Sequence, residues 1–162
     1  MNAGASTCVS DIFLFIHSDT EINSCCIESM MAVMQRSETV GGRFDLCLSG
    51  RHPALRMIEW FINLRSRLSG ISTGDQGIFV RRSAFEHLGG FPDIPLMEDI
   101  AFSRRLKRYG HIACLRQRVT TSSRRWEQHG IYNTILLMWR LRLLYWLGVP
   151  AERLAEMYRE AR

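Results

Sequence analysis

Ile12-Phe-Leu-Phe-Ile16, followed at once by His17-Ser-Asp-Thr20, is the stretch on which the fold turns. Five consecutive apolar residues suit a strand covered on both faces, as in the sheets of α/β proteins. The run stops at a polar turn, and after Asn23 the residues Ile27, Met30, Met31 and Met34 recur at helical spacing. Strand, turn and helix in that order make half of a β-α-β unit. In open α/β sheets ligands sit beyond the carboxyl ends of the strands, so residues 17–20 stand where chemistry is expected.

The same logic extends along the chain. Gly41-Gly-Arg-Phe-Asp-Leu-Cys-Leu48 alternates like a strand, and Leu55, Ile58, Phe61, Ile62 and Leu68 mark a helix entered at Pro53 and stopped at Ser69-Gly70. Ile78-Phe-Val80 is a further short strand, and residues 84–88 form a brief helix ended by Gly89-Gly90. Pro92 and Pro95 break regular structure and deliver a loop to Glu98-Asp99, which open a helix carrying Phe102, Leu106 and Tyr109 on one face and closing at Gly110. A last strand runs through Val119. The fold class is α/β: residues 1–126 form one sheet domain, and residues 127–162 a helical extension packed on the domain, on a partner or on a membrane surface.

Composition narrows the functional classes. The chain has 162 residues, is 46% hydrophobic and 23% charged, and so can bury one core. The net charge of +5 is carried by arginine, because Lys107 is the only lysine. Planar guanidinium groups match phosphate oxygens, but the arginines are interspersed with Asp and Glu instead of forming the basic stripe that a nucleic acid needs, so nucleic acid is excluded as a partner. The five cysteines show no CxxC spacing and an odd total, and no signal-like segment opens the chain, which points to the cytoplasm. Residues 131–147 are strongly apolar but hold Arg140 and Arg142 on nearly opposite sides of a helix. That segment is expected to be buried on several sides, against the domain, a second copy of the chain or the inner membrane face, with core packing the default.

Several residues combine chemistry with a defined position. Asp19, at the tip of a buried strand, reads either as a cap for the following helix or as a hard oxygen ligand for a cation bound to diphosphate. His17 reads as a packing residue or a second cation contact. Glu98 and Asp99 lie in a first helical turn, where acids are favoured by the helix dipole and where a general base would be kept ionised. Arg124, Arg125 and Trp126 read either as a surface pair beside a core tryptophan or as a phosphate clamp beside a flat face for a sugar.

Taken together, His17-Ser-Asp-Thr20, Gly42-Arg-Phe-Asp45, Thr73-Gly-Asp-Gln76, Gly89-Gly-Phe91, Glu98-Asp99 and Arg124-Arg-Trp126 resemble the motif series of family 2 glycosyltransferases of the GT-A fold, most closely the arsenosugar-biosynthesis-type subgroup. The resemblance implies a Rossmann-like, mixed and mainly parallel sheet between helices, a nucleoside-diphosphate sugar as donor and a divalent cation, Mn2+ or Mg2+. It implies Asp99 as catalytic base with Glu98 beside it, donor contacts from Asp19, Asp75, Gln76, Arg124, Arg125 and Trp126, and cation contacts from Asp19 and His17. His17 departs from the family's Asp-x-Asp motif at its first position. Family members also begin with a strand, helix and strand that cradle the nucleobase, and no counterpart is found here, so the chain is expected to be truncated at its amino terminus. The alternative expectation is a non-catalytic remnant that acts as an interaction module.

Overall fold

A computed structural model describes residues 1–128 and 130–161, with the Arg125 side chain outside the description. In chain order the elements are α1 (Asn2–Thr7), β1 (Ile12–Phe15), β2 (Thr20–Glu21), α2 (Ser24–Met34), β3 (Thr39–Leu48), α3 (Pro53–Ser69), a 3-10 turn (Gly74–Gln76), β4 (Ile78–Arg81), α4 (Arg82–His87), α5 (Glu98–Tyr109), β5 (His111–Thr121), α6 (Arg124–Gln128), α7 (Ile131–Trp146) and α8 (Ala151–Glu160). Local chemistry sets several boundaries. The Asn23 side chain accepts from the Cys26 amide at 2.9 Å and opens α2. Pro53 occupies the first turn of α3, and Gly70, left-handed at φ 67°, ends it.

The five strands form one mixed sheet in the order β1-β4-β3-β5-β2. The expectation of a mainly parallel sheet is corrected: β3 and β5 pair in parallel, whereas β1–β4, β3–β4 and β2–β5 are antiparallel. The reason lies after α3. The 3-10 turn brings the chain back to the edge where β1 ends, so β4 enters with Ile78 opposite Phe15 and runs down between β1 and β3. A continuous apolar run such as Ile78-Phe-Val80 reports burial on both faces and is silent on direction.

Alternation along the strands fills two layers. Phe13, Ile78 and Val80 point to Phe85, Phe91, Phe102 and Leu106 on the side of α4 and α5. Phe44, Phe79 and Val119 meet Cys26, Met30 and Met34 of α2 on the other. The buried face of α2 is thus set by an i, i+4, i+8 series beginning at Cys26, which leaves Ile27 and Met31 exposed.

The edge of β3 is completed by a helix. Its pairing with β4 ends at Arg43, and beyond that point α3 supplies polar side chains in place of a strand. Asn63 donates to the Leu46 carbonyl at 3.0 Å and accepts from the Leu46 amide at 2.8 Å. Glu59 accepts from the Leu48 amide, and Arg56 donates to the carbonyls of Leu48 and Gly50. One turn further, Arg67 forks onto both Asp45 oxygens at 2.8 and 2.9 Å, and Asp45 also pairs with the fully buried Arg43. Residues 56, 59, 63 and 67 share one face of a helix. Leu55, Ile58 and Ile62 on the adjoining face pack on Leu46 and Leu48.

Helices α7 and α8 dock through Leu141 and Leu154, which bury Met97 and Ile100 at the start of α5. The expectation that α7 is buried on several sides is corrected: only Thr134 and Leu141 are buried, because α7 meets the rest of the chain along one side. No helix among the described residues is long and apolar enough to cross a membrane. Asn63→Leu is expected to cost about 1–3 kcal/mol for each Leu46 group left unpaired, measured by urea unfolding. A loss within the roughly 0.5 kcal/mol of an ordinary surface change would contradict the edge-pairing role.

Candidate functional site

One cavity of about 530 Å3 opens between the carboxyl end of β1, α3, the 3-10 turn, the start of α5 and α7. Its polar lining includes His17, Asp19, Asp75, Glu98, Asp99 and Arg124, and its apolar lining includes Met57, Phe61, Met97, Trp126, Met138 and Trp139. Residues of four separate segments named from the sequence therefore meet at one place.

Asp99 is the most constrained of them. Its Oδ2 accepts from the Gly74 amide at 2.8 Å and its Oδ1 from the Ile100 amide at 2.7 Å, which ties the start of α5 to the 3-10 turn. Each carboxylate oxygen keeps a further lone pair for a ligand. Two residues earlier, at the N-cap of α5, Met97 is buried and left-handed at φ 67°, a conformation that costs a non-glycine residue about 1–2 kcal/mol. Burial pushes the Asp99 carboxyl up, and Glu98 and Asp75 add to the rise, while the Gly74 and Ile100 amides oppose it. This corrects the expectation that the helix terminus would dominate and favour ionisation: removal from water is the larger effect.

Asp19 is exposed at the end of β1 and does not cap α2, a role held by Asn23. His17 lies against Gly74, where a Cβ would collide with its Nε2. Asp75 faces the cavity, and its Oδ1 is buried with no hydrogen-bond partner among the described residues. Gln76 is placed elsewhere. It is fully buried, donates to Ser66 Oγ at 2.9 Å and accepts from the Thr73 amide at 3.2 Å, so it latches the 3-10 turn and does not line the cavity. Arg124 is exposed at the rim, and Trp126 lines the cavity while packing on the Leu46, Leu55 and Ile58 cluster, which unites its two sequence readings. The Arg125 side chain lies outside the described residues.

Sequence reasoning missed the contribution of the carboxyl-terminal helices. Tyr132, Ile135, Met138, Trp139 and Arg142 of α7 and Tyr158 of α8 line the cavity. It also missed Arg65, whose pKa burial and then Arg142 lower to about 10, against the pull of Asp75 and Asp99. Arg65 Nε and Nη2 and Arg142 Nε are buried without hydrogen-bond partners among the described residues. The available signal was weak: an arginine inside an apolar helix reads as a snorkelling cation as readily as a ligand contact.

Among the described residues no group of three or more His, Cys, Asp or Glu side chains converges to hold a metal ion. A divalent cation at Asp19 would find one exposed carboxylate there and would have to draw most of its other ligands from a bound anion and water. Asp75, with its orphaned acceptor in the same cavity, suits that chemistry.

With its folded-state pKa raised above the ordinary 3.8, Asp99 favours the folded state at low pH, and this contribution is lost as pH rises through the folded-state value. Asn cannot accept from both amides and so loses one of those bonds at every pH, but the stability of Asp99→Asn relative to the parent is expected to be higher at about pH 7 than near pH 3. Urea unfolding at both pH values checks this, and an equal difference at the two would refute it. Comparison with protein-family models, curated proteins and solved structures finds no match to this chain.

Proposed function

We propose that the chain is a GT-A-type glycosyltransferase, akin to family 2, that moves a sugar from a nucleoside-diphosphate donor to an acceptor with inversion. The observation that carries this reading is the single cavity in which Asp19, Asp75, Glu98, Asp99, Arg124 and Trp126 meet, with anionic, cationic and flat apolar surfaces side by side. A diphosphate needs cations or a bridging metal, a sugar ring suits an indole face, and an acceptor hydroxyl needs a base.

In this reading Asp19 holds a divalent cation, Mn2+ or Mg2+, with His17 at its flank. When bound, that cation neutralises charge on the departing diphosphate. Arg124 and Arg142 offer guanidinium donors to phosphate oxygens, and Trp126 supports the sugar. The acceptor oxygen attacks the anomeric carbon as the carbon–oxygen bond to the diphosphate breaks, and Asp99 takes the hydroxyl proton. Burial supports Asp99 in that role, because a carboxylate whose pKa is raised toward the working pH is a stronger base. Glu98, by raising it further, acts through Asp99 and is a positioning residue.

Calorimetry with a panel of nucleoside-diphosphate sugars and Mn2+ tests donor binding, and release of nucleoside diphosphate tests turnover. Asp99→Asn is expected to lower turnover by about 100- to 10,000-fold with donor affinity little changed, and Asp19→Ala to weaken Mn2+-dependent donor binding. Absence of heat from a folded, monomeric sample with every donor would sink the reading and leave that of an interaction module.

A further inference from the structure

We infer that the end of the cavity beside the 3-10 turn is a site for a phosphate ester that carries a hydroxyl next to its phosphate, with Arg65 and Arg142 holding the phosphate and Asp75 the hydroxyl. This rests on the proposed function for the donor's diphosphate and deepens it by adding Arg65 and Asp75 to the recognition of the glycosyl phosphate. Two helices build the site in the same way. On α3, Ile58, Phe61 and Ile62 line the cavity, and Arg65 continues their face one turn further on. On α7, Ile135, Met138 and Trp139 line it, and Arg142 continues that face at the same spacing. Each apolar stripe therefore ends in a guanidinium. The charges of Arg142, Asp75 and Asp99 all act on Arg65, which places the four groups together.

These side chains are orphaned in complementary senses. Arg65 Nε and Nη2 and Arg142 Nε are buried donors, and Asp75 Oδ1 a buried acceptor, without hydrogen-bond partners among the described residues. Nε and Nη2 lie along one edge of a guanidinium and match two oxygens of one anion. With a further donor coming from α7, the set suits the three oxygens of a phosphoryl group better than the two of a carboxylate. Buried N–H groups without acceptors carry a desolvation penalty, and the two guanidinium groups repel each other. An anion relieves both effects at once. Asp75 can balance one of the two cations, and Asp99 balances the other poorly because burial favours its neutral form. At Asp75 Oδ1 the positive charge of Arg65 favours a hydroxyl over a metal cation. A sugar joined to phosphate through its anomeric carbon offers such a hydroxyl on the next carbon.

The test is metal-free calorimetry of the full chain with glucose 1-phosphate and with inorganic phosphate. Both are expected to bind, glucose 1-phosphate more tightly. Arg65→Gln and Arg142→Gln are each expected to weaken both ligands by roughly tenfold or more, and Arg65→Lys not to restore the loss, because an ammonium lacks the fork. Arg140→Gln, exposed on α7 outside the cavity lining, is expected to change neither. Asp75→Ala is expected to abolish the preference for glucose 1-phosphate while inorganic phosphate still binds. Circular dichroism checks each fold, and the two arginine variants lie on separate helices, so misfolding of one leaves the other to decide. No binding of either ligand, undiminished binding by a folded arginine variant, full recovery by Arg65→Lys, or a preference that survives Asp75→Ala would overturn the inference. Failure of the proposed function reads differently: Arg65-dependent binding of glucose 1-phosphate, with no nucleoside diphosphate released from any donor, keeps this site and removes glycosyl transfer. Release of nucleoside diphosphate that Arg65→Gln leaves unchanged does the reverse.

Discussion

The organisation of this molecule depends on how the open edge of β3 is satisfied. A strand that outruns its neighbour leaves backbone amides and carbonyls that must find partners or remain in water. Here β3 continues past the start of β4, and α3 meets its groups with Asn63, Glu59 and Arg56. Such pairing locks the helix in rotation and in register, since side chains at fixed spacing must meet backbone groups at fixed spacing. The opposite consequence is felt in the cavity. With the polar stripe committed to β3, Met57 and Phe61 face the cavity and the outer surface.

The second fastening is Asp99. By accepting from Gly74 it holds the 3-10 turn against α5, and Gln76 holds the other end of that turn against Ser66 of α3. The groups that line the cavity thus rest on a chain of hydrogen bonds that runs from α3 through the turn to α5. Rigid support of this kind is what a charged group in a partly dry site requires, because its orientation cannot be left to solvent. The left-handed Met97 beside it is consistent with strain retained where a side chain must be aimed.

Much of this was legible in the sequence, for identifiable reasons. Strand β1, the entry of α3 at Pro53, the stop at Gly70 and the start of α5 at Glu98 follow from apolar runs, proline and glycine, whose effects are local. The convergence of His17, Asp19, Asp75, Glu98, Asp99, Arg124 and Trp126 was legible as motif order. Strand direction was not, because the reversal before β4 is made by a turn whose latch, Gln76 to Ser66 and Thr73, spans separate elements. Nor was the exposed stripe of α7, since apolar residues at helical spacing look the same whether they face a core or the outside. Arg65 and Arg142 escaped notice because their setting comes from tertiary burial and not from neighbours in the chain.

The proposed function requires the cavity walled by α3 and α7 and floored by the start of α5 to take a nucleoside-diphosphate sugar beside Asp99. A crystal structure of the chain grown with a nucleoside-diphosphate sugar and Mn2+ tests it most directly. The diphosphate is expected between Asp19 and the guanidinium groups of Arg124 and Arg142, with the anomeric carbon on the side of Asp99. A donor bound elsewhere on the surface, or a diphosphate held without contact to Asp19, Arg124 or Arg142, would contradict it.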